Sequence, residues 1–106
     1  MGIEAAIAER SALSRAANDR VCVSAARLKF ERDQRVPFVC ECGDPRCLGT
    51  VMLRLAVFAR LREERCRFVL VPGHENAAEE QVTEDRRDLG YVVVERLADT
   101  GDGIRD

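Results

Sequence analysis

Three thiols fall within eight residues in Cys40-Glu41-Cys42-Gly43-Asp44-Pro45-Arg46-Cys47, and the one histidine of the chain, His74, follows Pro72-Gly73. Gly43-Asp44-Pro45 is a turn signal, because Gly tolerates positive φ and Pro presets φ near about −65°. Such a turn lets two or three thiols converge while backbone N–H groups donate to the sulfurs. Tetrahedral zinc takes four Cys or His ligands. Cys40, Cys42, Cys47 and His74 make that number and predict one structural Zn2+ in a Cys3His site; Cys66 or Asp44 could complete the set in place of His74. The bland alternative is that cysteines are common core residues and a turn histidine is ordinarily a surface group. Cys22 and Cys66 are read that way, as small core residues.

A closed four-ligand site is structural, tying the Cys loop to the end of a strand and supplying folding free energy. There is no second His and no H-E-x-x-H or H-x-E…C-x-x-C arrangement, so hydrolase and deaminase chemistry has no support. The acidic pairs Glu63-Glu64, Glu79-Glu80 and Glu84-Asp85 read as a solvated face. No catalytic residue and no organic-cofactor site is assigned. The enzyme alternative is a Cys nucleophile with His74 as its base. A redox sensor that ejects zinc on thiol oxidation uses the same cysteines.

The bulk properties bound these readings. A chain of 106 residues supports one small domain, which buries only about two thirds of its unfolded surface and gains from a staple. Seventeen basic and nineteen acidic residues give a net charge of −2, against a surface built throughout to neutralise phosphates. One Tyr, four Phe and no Trp leave few rings for stacking on bases or sugars. No apolar run approaches the roughly 18 to 20 residues of a membrane span, and Glu4 and Glu9 stand where a signal peptide would be basic, then apolar. The expected compartment is the cytoplasm. Five Cys, an odd number, fit thiol or metal chemistry in a reducing compartment better than a disulfide framework. The dominance of Arg over Lys, with abundant Ala, has the look of a GC-rich bacterial genome.

The elements that must position these residues follow from periodicity and punctuation. Residues 1 to about 32 read as helix, one long or two with a break around Asn18 to Ser24, with Ile3, Ile7, Leu13, Ala17, Val21 and Leu28 inward. Pro37 ends the helical region. Phe38 to Cys40 and Thr50 to Leu53 read as short strands. Leu55 to Glu64 reads as a helix with Leu55, Phe58, Ala59 and Leu61 inward and Arg54, Arg60, Arg62 and Glu63 outward. Arg67 to Val71 is the clearest buried strand, stopped by Pro72-Gly73. Val82 fits a half-buried strand or a helical turn, with a hairpin to the strand Tyr91 to Val94 favoured. The tail 98–106 has little to bury and is expected to fray.

Phe38-Val39-Cys40-Glu41-Cys42-Gly43-Asp44-Pro45-Arg46-Cys47, Arg67 to Glu75 with its Pro-Gly-His, and Tyr91-Val92-Val93-Val94-Glu95 together resemble a group of small actinobacterial proteins. A helix similar to Arg15-Ala16-Ala17-Asn18-Asp19-Arg20-Val21 precedes them, so the resemblance spans most of residues 15–96. It implies a site of three Cys and one His, here Cys40, Cys42, Cys47 and His74, and implies no activity. Where similar sequences tend to carry an acidic residue and Tyr in the middle helix, this chain has Val57-Phe58, a departure that argues against a Tyr-based function and leaves the metal site untouched.

The predicted fold is α+β: a helical arm (1–35), a zinc-stapled core (36–97) built on a small, mainly antiparallel sheet with one short helix, and the tail. The predicted function is a non-enzymatic interaction or regulatory module whose partner is a protein engaged by the N-terminal helix. Nucleic acid is the second choice, through Arg27, Lys29, Arg32 and Arg35. The sequence is silent on oligomeric state.

Overall fold

The computed structural model describes residues 3–96. Helix α1, Ile3–Arg27, runs unbroken through the Ala-rich, Pro-free segment. Its end comes earlier than Pro37 requires, in a Schellman turn: Phe30 N–H donates to Ala25 O, Lys29 N–H donates to Ala26 O, and Lys29 takes the positive φ of 65° usually left to Gly.

The face that α1 buries matches the apolar stripe expected from the sequence only in part: Ile7, Ala17 and Val21 are half-buried, and Val21 packs against the core. Ser11, Asn18 and Ala25, seven residues apart, are buried, whereas Leu13 and Leu28 are 66% and 71% exposed. The reason is what the helix meets. It packs along backbone, and Asn18 imitates a neighbouring strand, accepting from Val39 N–H and donating to Val39 O, both at 2.9 Å. Ser11 Oγ donates to Glu41 O at 2.6 Å. A contact with peptide groups selects small and hydrogen-bonding side chains, because a buried N–H or C=O without a partner is costly.

Strands β1 (Arg35–Val39) and β2 (Thr50–Arg54) form an antiparallel ribbon in which Val36 pairs with Leu53 and Phe38 with Val51 on the inner face. Helix α2 (Leu55–Leu61) follows directly. Strands β3 (Arg67–Leu70), β4 (Glu80–Arg86) and β5 (Tyr91–Arg96) form a second antiparallel sheet in the order β3-β5-β4, with the expected β4–β5 hairpin. The fold is thus α+β with two small sheets where one was expected, and β3 is an edge strand. The centre is β5, whose Tyr91, Val92, Val93 and Val94 are all buried. Tyr91 and Val93 join Val69, the ribbon and α2 in one core; Val92 and Val94 join Leu70 and the cysteine loop in another.

Three further side chains depart from expectation. Ala59 and Cys66 are exposed, while Cys22 packs half-buried against the core as expected. Arg62 turns inward. No described helix is long and apolar enough to cross a membrane. The frayed tail expected at 98–106 lies outside the described residues.

Arg62 turns inward because of Glu41, a carboxylate with no exposed surface. Glu41 Oε2 accepts from Arg62 Nη2 and, at 2.7 Å, from Asn18 Nδ2; Oε1 accepts from Val69 N–H at 2.9 Å. Its own N–H donates to Val69 O at 2.9 Å, which covers the outer edge of β3. Arg62 is held in turn by Asp19 at 2.8 Å, by Arg67 O at 3.1 Å and over the Phe58 ring, which stacks on Phe38. Breaking a buried pair from one side strands the other charge, at a cost of about 3–5 kcal/mol. Arg62→Met is therefore expected to lower unfolding free energy in urea by about that amount. Adding Glu41→Gln to Arg62→Met should restore part of the loss; a double variant no more stable than the single would show that the stranded charge is not the cause.

Candidate metal centre

The chain leaves β1 extended, so side chains alternate between faces. Cys40 and Cys42 fall on one side and Glu41 between them on the other, where it meets α1 and Arg62. This is what C-x-C does here: one segment sets two thiols, Cys40 buried and Cys42 half-buried, on one side and its anchoring carboxylate on the other.

The third thiol arrives through a tight turn. Cys47 N–H donates to Asp44 O at 3.0 Å, and Asp44 Oδ1 accepts from Arg46 N–H at 2.8 Å. That bond from Arg46 N–H, followed by the Arg46 side chain, holds the Asp44 carboxyl below its ordinary range. Asp44 thus shapes the turn and is not one of the clustered donors. Gly43 is obligatory: its φ is +84°, and a Cβ there would lie 2.4 Å from Ile7 O of α1. His74 arrives from the other sheet. Beyond β3, Val71-Pro72-Gly73-His74 closes with His74 N–H donating to Val71 O at 3.0 Å and Gly73 at φ +94°, as a type II turn requires. Glu75 pins this turn, its Oε1 accepting from Gly73 N–H at 2.8 Å and its Oε2 from Arg87 Nη2 at 3.0 Å.

Cys40, Cys42, Cys47 and His74 converge, their ligand atoms all within 4.8 Å of one another, and form a group able to hold a metal ion. Cys66, the alternative fourth ligand, stands outside it. His74 Nδ1 lies 3.7 Å from Cys40 Sγ and 3.4 Å from Cys47 Sγ. For a tetrahedral ion bound by Cys and His, the S···N edge is about 3.6 Å. Val71 N–H points at Cys40 Sγ (3.2 Å) and Gly49 N–H at Cys47 Sγ (3.4 Å), and such backbone donors stabilise a thiolate. The donor set fits a thiophilic ion.

Burial opposes thiolate formation when no ion is bound. It pushes the Cys40 thiol up to about 12, against the pull of Val71 N–H, and raises Cys42 as well. An ion entering the site displaces those protons and compensates the charge. Glu41, the anchor between two ligands, was the residue that sequence reasoning passed over. Comparison with family models, curated proteins and solved structures gives no match.

Because the metal-free fold raises Cys40 from an ordinary 9.0 to about 12, its protonated thiol contributes stability in full below pH 9, and that contribution is lost as pH rises towards about 12. Thermal melts of chelator-treated, reduced protein should show this alkaline loss, and it should shrink in Cys40→Ala. Equal losses in both proteins would refute the assignment.

Proposed function

We propose that this chain is a non-enzymatic interaction module whose Cys loop is stapled to the end of β3 by one structural zinc. The observation that carries the reading is the closure of four donors from two separate sheets within 4.8 Å. Three thiolates and an imidazole favour zinc over harder divalent cations, and a full set of four leaves no open position for substrate. The ion would join segments that the chain itself ties together only through hydrogen bonds and packing.

The partner would be a protein engaging α1 beside the loop. Leu13 of α1 is 66% exposed and Leu48 93% exposed, and both line one cleft with Val39. Apolar side chains grouped at a cleft serve contact with another surface better than solvent. Photo-crosslinking from position 48 in cells should give one discrete adduct that Leu13→Asp removes without changing zinc content. An adduct unaffected by Leu13→Asp would refute this surface.

Plasma mass spectrometry of tag-free protein purified without chelators should find one zinc per chain, lost or weakened in Cys42→Ser and His74→Ala. In a parallel thiol titration, Cys66 should react at once, and Cys40, Cys42 and Cys47 only after chelator or acid. Protein without metal, in which those three thiols react freely, would overturn the zinc reading and favour the thiol-redox one.

A further inference from the structure

A second site lies away from the cysteines. In the ribbon register Arg35 stands directly opposite Arg54, and both are exposed. Like charges facing each other across two strands are destabilising unless something neutralises them. Arg60 from α2 and Arg86 from β4 line the same cleft, of about 270 Å³, with Tyr91 and a single carboxylate, Glu84. Arg86 is engaged by Asp88, through Nε at 3.2 Å and Nη2 at 3.1 Å. Arg35, Arg54 and Arg60 form no salt bridge with a carboxylate of the described residues.

We propose that this cleft between the ribbon, α2 and the β4–β5 hairpin is an anion site that takes the phosphate group of a small phosphorylated molecule. Guanidinium is the group suited to it, since its planar fork of donors matches phosphate oxygens in pairs and stays charged at any working pH. Three unpaired forks from three elements converge on one concavity, so one multiply charged group can meet several of them at once. Buried Tyr91 gives the cleft an aromatic wall on the rigid central strand. The size of the cleft and the chain's net charge of −2 favour a compact ligand over the extended backbone of a nucleic acid, which needs a track of cations.

The test is a nuclear magnetic resonance titration of the purified full chain with inorganic phosphate and with glycerol phosphate at constant ionic strength, observing backbone amides and arginine Nε–H. Both probes should shift Arg54, Arg60 and Tyr91 saturably. Tighter binding of glycerol phosphate would assign the site to phosphomonoesters; equal binding would assign it to free phosphate. Arg54→Gln and Arg60→Gln should each raise Kd about tenfold, as loss of a charge-assisted bond does, with Arg20→Gln as the unaffected control. Linear, non-saturating shifts, or equal weakening by Arg20→Gln, would overturn the proposal. So would duplex DNA binding through Arg54 and Arg60, steeply salt-dependent, without saturable phosphate binding. The readout does not depend on zinc, so it stands or falls apart from the metal reading.

Discussion

A carboxylate with no exposed surface is tolerated only where every oxygen and its charge are answered, and Glu41 forces three elements to supply the answers. Asn18 comes from α1, Arg62 from the end of α2 and the Val69 amide from β3, while Glu41 itself lies on the continuation of β1. None can move far without stranding a charge in the interior. The same residue has a thiol on either side, so what fixes the carboxylate towards α1 and Arg62 also fixes Cys40 and Cys42 on the opposite side of the chain. The metal group is positioned from behind, by a polar network that lies on the opposite side of the strand from the ligands.

This division explains what was legible beforehand. Cysteine spacing, the Gly-Asp-Pro turn, Pro-Gly-His and the run Tyr91 to Val94 are local signals, and local signals brought the four donors and the hairpin onto the page. Glu41 carries no such signal. Its partners lie 21 to 30 residues away, and a glutamate between two cysteines reads as surface by any hydropathy pattern. The error in α1 has the same root: an apolar stripe marks the buried face only when the surface opposite is apolar. Here part of that surface is the backbone of Val39 to Glu41, which takes Ser11 and Asn18, while Ala25 and Val21 further along meet the apolar core. Leu13 and Leu28 go outward.

The edge position of β3 follows from similar reasoning. A run of Arg67 to Val71 looks central because it is apolar, but burial of β3 comes from two sources, β5 on one side and the Cys40-Glu41 segment on the other. The latter is irregular chain that pairs through one backbone bond, one carboxylate and one sulfur acceptor. Sequence patterns report that a strand is covered and not what covers it. An edge sealed this way is also protected from pairing with another chain, while β4, the other edge, relies on charge at Glu84, Asp85 and Arg86 and on a bulge between Val82 and Glu84.

The ribbon carries opposite chemistries at its two ends. Val39 and Thr50 pair at the thiol end and Arg35 and Arg54 at the other, four residues away, or about 13 Å at the usual rise of a strand. The inner face between them, Val36, Phe38, Val51 and Leu53, is fully committed to the core. Neither end can therefore borrow stability by shifting register, since a one-residue slip of either strand would turn its two core side chains outward. At the thiol end burial keeps Cys40 and Cys42 protonated, and an ion would have to displace those protons to bind. The arginine end, with two cations opposed across the ladder, has the converse electrostatic problem, which an anion bound in the proposed site would relieve. A single rigid ribbon so presents one group of donors that would bind a cation and one that would bind an anion, with the packed core holding their separation constant.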